Sequence, residues 1–410
     1  MSEENIYQIP APKKEPKRGP ALRGLFFAIG FAAGAGVLFL AVMIIIGIFG
    51  GRLLQRGGSD VENAVSKINA IEQILKKDFL FDMDVDTESG IVKGYVDSFG
   101  DPYTVYYTPE EYKDLMESLN GTFSGIGVLV QKDEATGYIR VVRPYESAPA
   151  YAAGMREEDL ITKVEGEDIS QMDLDLAVSK IRGETGTEVT VTVYRSSENR
   201  TFDLSITRAV INVETVTHEM LENSIGYISM NSFDGVTYDQ YMEAFSDLKA
   251  QGMKALIVDI RSNGGGRLDI VADILDRMLP EGVITYTETK DGKKDYLYSD
   301  EACDLDVPTA VLVNGYSASA SEIFTGAMQD YDKAVIVGTQ TFGKGIVQTI
   351  MQLPDGSAIK VTTSRYYTPN GVCIHEVGIT PDVVVEQPAD SEEDLQLQAA
   401  IDAVTELMGN

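Results

Sequence analysis

The chain has 410 residues, 64 acidic against 34 basic side chains, a formal charge of −30 and an isoelectric point near 4.4, with no basic stripe after residue 56. That balance excludes a nucleic-acid surface, and the length allows two or three domains, each with its own core. Two cysteines, Cys303 and Cys373, with no C-x-x-C and no histidine to complete a ligand set, exclude a zinc or redox motif.

Residues 1–24 are mostly polar and carry Pro10, Pro12, Pro16 and Pro20 among Lys13, Lys14, Lys17, Arg18 and Arg23, the composition of a disordered basic tail. No residue from Leu25 to Phe49 is charged, and at about 1.5 Å per helical residue this run is long enough to cross a hydrocarbon layer of roughly 30 Å. It is predicted to be a single transmembrane anchor. The basic residues before it predict a cytoplasmic N-terminus and an extracytoplasmic remainder, in a cell membrane. The other reading is a cleaved signal peptide, but such an apolar region is about 7–15 residues long and ends at a small-x-small site, which Gly47-Ile48-Phe49-Gly50 matches poorly.

Residues 50–118 form an N-terminal helical region. Val61, Val65, Ile68, Ile71, Ile74 and Leu75 recur at helical spacing, which predicts an amphipathic helix packed on the body of the protein. Asp101-Pro102-Tyr103 predicts a turn, and Thr108-Pro109-Glu110-Glu111 a capped helix start. Between residues 119 and 209 the pattern changes to short strands, at Gly127–Gln131, Tyr138–Val142, Thr187–Arg195 and Thr201–Thr207, with a helix from Leu174 to Arg182. Ser147-Ala148-Pro149-Ala150, Ala153-Gly154 and Asp159-Leu160-Ile161 lie between them. This series resembles a PDZ domain, which binds a peptide C-terminus between one strand and one helix. The resemblance implies a carboxylate-binding turn at Ser124-Gly125-Ile126-Gly127, whose glycines free backbone N–H groups, and a ligand added as a strand to the sheet edge. Arg182 either holds the ligand carboxylate, couples the two domains, or is solvated.

From 210 to 390 strands and helices alternate: strand Ile225–Met230, helix Tyr238–Gln251, strand Ala255–Ile260, helix Asp269–Leu279, strands Val283–Thr289 and Thr309–Val313. A layered α/β core follows. Gly264-Gly265-Gly266 lacks the spacing of a nucleotide-binding loop. Ile350–Leu353 and Ala358–Thr363 predict a hairpin around Pro354-Asp355-Gly356-Ser357, and His375-Glu376 lacks the spacing of a metal site. Residues 391–410 hold an amphipathic helix, Glu392–Met408, with a solvated acidic face.

Chemistry concentrates between Asn314 and Gln348. Thr309–Val313 ends at Asn-Gly, and Glu322–Asp330 is helical in character, so Ser317, Ser319 and Ser321 fall at a strand-to-helix turn. Backbone N–H groups at the start of that helix would stabilise negative charge beside a serine hydroxyl, though Ser317 and Ser321 also suit helix caps. Serine needs a base, and neither His218 nor His375 lies in a segment shaped for that work. Lys344, among Phe342, Gly343, Gly345, Ile346 and Val347, is the better candidate, because desolvation would lower its proton affinity and leave a neutral amine to accept the serine proton. On a strand or a helix alike, Gln348 would share its face and hold it in place.

These segments resemble the carboxyl-terminal processing peptidases, serine proteases with a Ser-Lys dyad. The resemblance rests on Ser317-Ala318-Ser319-Ala320-Ser321-Glu322, Thr341-Phe342-Gly343-Lys344-Gly345 with Gln348 beyond it, and Asp259-Ile260-Arg261-Ser262-Asn263-Gly264-Gly265-Gly266, with Gly264 where the family usually has proline. Asp101-Pro102-Tyr103-Thr104, Tyr367-Thr368-Pro369-Asn370-Gly371 and Gly378-Ile379-Thr380-Pro381-Asp382 also match, so it covers roughly residues 60–385. It implies Ser319 as nucleophile, Lys344 as general base, Gln348 as its orienting partner, and the N–H groups of Gly265 and Ala320 as oxyanion donors. It further implies a ClpP/crotonase-like core with an inserted PDZ domain, protein or peptide substrates held by their C-termini, no cofactor, and possible pairing of two chains through the N-terminal helix.

Overall fold

The computed structural model describes residues 60–81, 85–388 and 391–409, in two units that divide after Val85. In the first, residues 60–78 are helical as the spacing predicts, and Val61, Val65, Ile71, Ile74 and Leu75 are exposed. The basic tail and the anchor expected at 25–49 lie outside the described residues. Among the described residues no helix is long and apolar enough to cross a membrane.

The second unit is mixed α/β. Its main sheet runs in the order Val216–Leu221, Ile225–Met230, Ala255–Asp259, Thr309–Val313, Val335–Gly338, Val383–Val384. All pairings after the first are parallel, with Ile225 opposite Ala255, Leu256 opposite Thr309 and Ala310 opposite Val335. Ala255–Asp259 and Thr309–Val313 are buried at every position. Strands covered on both faces lose polar alternation, which is why both read as continuous apolar runs.

One face is covered by Thr237–Ala250, Leu268–Met278 and Ala320–Asp330, whose Tyr241, Phe245, Ile274, Phe324 and Met328 join one core. The C-terminal helix, Leu395–Gly409, covers the other: Ala400 and Val404 pack with Ile225, Ile257, Leu312 and Val337. This helix therefore completes a layer besides presenting an acidic face. Arg261 fastens its start to the glycine-rich loop, donating to Asp259, Asp394 and Gln396.

A second, antiparallel sheet centres on Ala358–Tyr367, which pairs with Val105–Tyr107, Gly282–Thr289 and Ile346–Gln352. The hairpin is longer than expected, starting at Ile346 and running on to Tyr367, because Gln348, Thr349, Ser364 and Arg365 belong to its strands without showing an apolar pattern. Pairing of Val105–Tyr107 with Lys360, Ile359 and Ala358 brings the Asp101–Thr104 turn into the sheet that carries the strand after Lys344. The expected capped helix is Pro109–Leu119, where Glu111 accepts from the Thr108 N–H and donates its own N–H to the Thr108 hydroxyl.

The inserted module has its own core and a sheet ordered Val128–Lys132, Ile139–Pro144, Leu160–Val164, Glu188–Arg195, Arg200–Thr207. A two-stranded ribbon, Thr122–Gly125 with Ala209–Asn212, closes its base. Asp159 is buried and held by Arg195 through two 2.8 Å bonds.

Candidate active site

The strand Thr309–Val313 ends at Asn314, and the chain turns through Ser317 and Ala318 into the helix Ala320–Asp330. Ser319 stands at the turn with φ 57° and ψ −114°, left-handed backbone that a non-glycine residue keeps only under constraint. The constraints are visible. Glu322, fully buried, accepts the Ser319 N–H at 2.9 Å, and the hydroxyl of buried Tyr366 donates to the Ser319 carbonyl at 2.9 Å. Ser317 and Ser321 do not cap the helix. Both are buried, and their hydroxyls donate to the carbonyls of Ile260 and Asn263 at 2.8 Å, tying the serine turn to the glycine-rich loop.

That loop carries Gly265 to the nucleophile. A Cβ on Gly265 would lie 2.7 Å from the Ala318 carbonyl, 2.8 Å from Ser319 Cβ and 2.9 Å from the Ala320 nitrogen, and its φ is +103°, so only glycine fits. Ala320 opens the helix, and among the described residues its N–H meets no acceptor. The Gly265 N–H differs from the expected free oxyanion donor: it is given to Asn263 Oδ1 at 2.9 Å, because buried Asn263 is itself fixed by donating to the Met230 carbonyl.

Glu322 also defines the lysine. The same Oε2 that holds Ser319 accepts the Lys344 N–H at 2.8 Å, while Oε1 accepts from Thr341 Oγ1 at 2.6 Å and the Gly343 N–H at 2.7 Å. One oxygen thus keeps the main chains of the two residues within about 6 Å of each other. Lys344 is half-buried. Burial first, and then the charge of Lys360, hold its amine below the usual lysine range, with Asp101 and Glu322 acting the other way. The expected enclosure by Phe342 is not found, since that ring is 56% exposed. The ring at the amine is that of Tyr103, 4.6 Å from Nζ to centroid.

Gln348 is not brought to the lysine by strand alternation. Lys344 precedes the strand Ile346–Gln352, so the strand's alternation does not extend to it, and the Gln348 amide donates to the Ile346 carbonyl at 3.5 Å; the bulge opposite Val347 and Gln348 belongs to the partner strand, whose Thr363 is skipped. In the inserted module, Gly125, Ile126, Gly127 and Arg182 do come together. They line a groove of about 230 Å³ between the edge strand Val128–Lys132 and the helix Leu174–Ile181, with Val178 and Ile181 on the helix side. Gly127 has φ +75°, and a Cβ there would meet Ala148 at 2.2 Å. Arg182 lies 5.2 Å over the Phe123 ring, while Ser124 is turned to Thr185, hydroxyl to hydroxyl at 2.8 Å. A separate cleft of about 990 Å³, lined by Arg143, Tyr151, His218 and Glu243 among others, contains none of these groups.

Residues 224–385 match the profile of peptidase family S41, and residues 140–195 that of a PDZ domain. A probable CtpA-like serine protease of Staphylococcus aureus (strain COL) is 36% identical over 359 residues, covering 86% of this chain and 71% of that protein. The carboxy-terminal-processing protease of Bartonella bacilliformis is 39% identical over 294 residues, covering 70% of this chain and 67% of that protein. This chain belongs to peptidase family S41. Among solved structures, this S41 chain is similar to the photosystem II D1 C-terminal processing protease, with 28% identity and a TM-score of 0.47, covering 84% of this chain and 91% of that one.

The S41 chain is a serine-type C-terminal-processing peptidase with a PDZ domain, acting on peptide or protein substrates. Sequence reasoning missed three contributors to its site. Glu322 was visible as the last residue of the serine run, yet nothing in its spacing signalled a buried carboxylate with four donors. Asn263 and Tyr103 sat in matched segments without an assigned chemistry. Cys303 and Cys373 are free and half-buried, so no disulfide joins them.

Proposed function

We propose that this S41 peptidase works by a Ser319–Lys344 dyad at the outer face of a cell membrane, on proteins whose C-terminal tails are captured by the PDZ groove. Ser319 Oγ attacks the scissile carbonyl carbon as its proton passes to the neutral amine of Lys344; the ammonium then returns that proton to the leaving amine, giving an acyl-enzyme. Water, deprotonated by the same amine, releases the acyl group. Ala320 supplies one oxyanion donor, and the Gly265 N–H becomes the second by exchanging Asn263 Oδ1 for the developing charge. Gln348 orients the amine once substrate is bound.

The observation that carries this reading is the single Glu322 oxygen shared by the backbones of Ser319 and Lys344. Its energetic sense is plain: a buried carboxylate is tolerated when its lone pairs are filled, and here those bonds position a strained serine and a desolvated lysine together. The groove supports tail recognition, because an unpaired edge strand beside an apolar helix suits an added peptide strand. The segment 25–49 anchors the chain, with residues 1–24 cytoplasmic, and two chains pair through the helix at 60–78.

The test uses the full chain in detergent micelles with a folded protein carrying an apolar C-terminal tail. Cleavage is expected with the intact chain and absent with Ser319→Ala, and amidation of the tail carboxylate should weaken it. Equal cleavage of free and amidated tails would remove the PDZ part of the proposal. Cleavage by Ser319→Ala would remove the dyad.

A further inference from the structure

The amine of Lys344 rests on an aromatic face. Nζ lies 4.6 Å from the centroid of Tyr103, and among the described residues it makes no hydrogen bond or ion pair. Tyr103 is not a passing neighbour. Its N–H donates to Asp101 Oδ1 at 3.0 Å, and Thr104 Oγ1 donates to Asp101 Oδ2 at 2.6 Å while accepting the Thr362 N–H at 3.2 Å. The next residues, Val105–Tyr107, pair with Lys360, Ile359 and Ala358. The ring is therefore carried by a turn bonded to the strand that also pairs with Ile346–Gln352, directly after the lysine.

An aromatic face attracts an ammonium and gains little from a neutral amine, so this contact distinguishes the two protonation states of the base. The other charged groups acting on the amine are Asp101 and Glu322, which favour the ammonium, and Lys360, which opposes it. We propose that Tyr103 is a positioning residue for the base: its ring face seats protonated Lys344, and the amine leaves that seat when it loses its proton and turns to Ser319. The proposal rests on the dyad reading above. It gives the Asp101–Thr104 turn a role in setting the pH at which proteolysis begins.

The test is the pH dependence of kcat/KM for a fluorogenic peptide, with the full chain in detergent. Tyr103→Leu keeps the amine desolvated but removes the negative face, so the midpoint of the acid limb should fall by about 0.4–0.7 pH units. Tyr103→Phe keeps the face and should keep the midpoint. If Tyr103→Leu does not fold, 3,4,5-trifluorophenylalanine at position 103 carries the same test, because it preserves ring shape while cancelling the face's charge; its midpoint should fall likewise. An unmoved midpoint in the ring-deficient protein, with Lys344→Ala inactive, overturns the seat and leaves the dyad standing. Full activity of Lys344→Ala overturns the dyad itself.

Discussion

Glu322 offers the sharpest perturbation, because its side chain is fully buried and accepts four hydrogen bonds, two at each oxygen. Glutamine keeps the shape but must point an amide nitrogen at one pair of donors. With the nitrogen opposite Ser319 and Lys344, two N–H groups are stranded. In the other rotamer the nitrogen faces Thr341, whose hydroxyl already accepts the Ile379 N–H and can turn to accept a second bond, so the Gly343 N–H and the Thr341 O–H lose their acceptor but one new bond is made. Hydrogen bonds to a charged group contribute about 1.5–3 kcal/mol each, so Glu322→Gln in its better rotamer should lose about 2–3 kcal/mol of stability and keep Ser319 and Lys344 tied. Glu322→Ala releases both. It should lose more than the glutamine variant and lower kcat/KM by about 10²-fold, the scale set by a displacement of about 1 Å. Calorimetry and peptide kinetics on the full chain read the two effects separately. If Glu322→Ala unfolded at the original temperature and cleaved at the original rate, the account of how this site is held would be wrong.

Other perturbations follow from the same geometry. Gly265→Ala puts a methyl group within 3 Å of Ser319 Cβ and the Ala320 nitrogen, and kcat should drop by about 10²–10³-fold, the cost of losing an oxyanion donor, with PDZ peptide affinity unchanged by fluorescence titration. Only the neutral amine accepts a proton, so kcat/KM should rise with pH through the lowered lysine value; Lys360→Ala removes a cation that favours neutrality and should move that rise to higher pH. Val178→Asp places a carboxylate in the apolar groove and should abolish binding of a labelled C-terminal peptide while leaving cleavage of a small fluorogenic substrate intact.

Much of the fold could be read from the chain because its central strands are covered on both faces. Ile225–Met230 and Thr309–Val313 have the bounds expected of them, and Leu174–Ile181 falls within one residue of its expected helix. Strands of mixed polarity were harder. Lys294–Ser299 and the distal half of Ala358–Tyr367 lie in a sheet with partly exposed positions, where burial imposes no apolar run. At the site, the residues of the serine run, the glycine-rich loop and the lysine segment do converge. Their mutual restraints were not legible, because a bond such as Glu322 to Lys344, or a ring such as Tyr103 at the amine, joins segments distant in sequence. Gln348 shows the limit of local periodicity, since the strand starts at Ile346 and its alternation does not reach back to Lys344.

The most direct measurement is the rate at which Ser319 is acylated by an activated peptide ester, compared between the intact chain and Lys344→Ala across pH. The account predicts that the substitution slows acylation by about 10²–10⁴-fold, the usual contribution of a positioned general base, and flattens the pH dependence. Acylation by Lys344→Ala at the original rate, with the original pH profile, would contradict it.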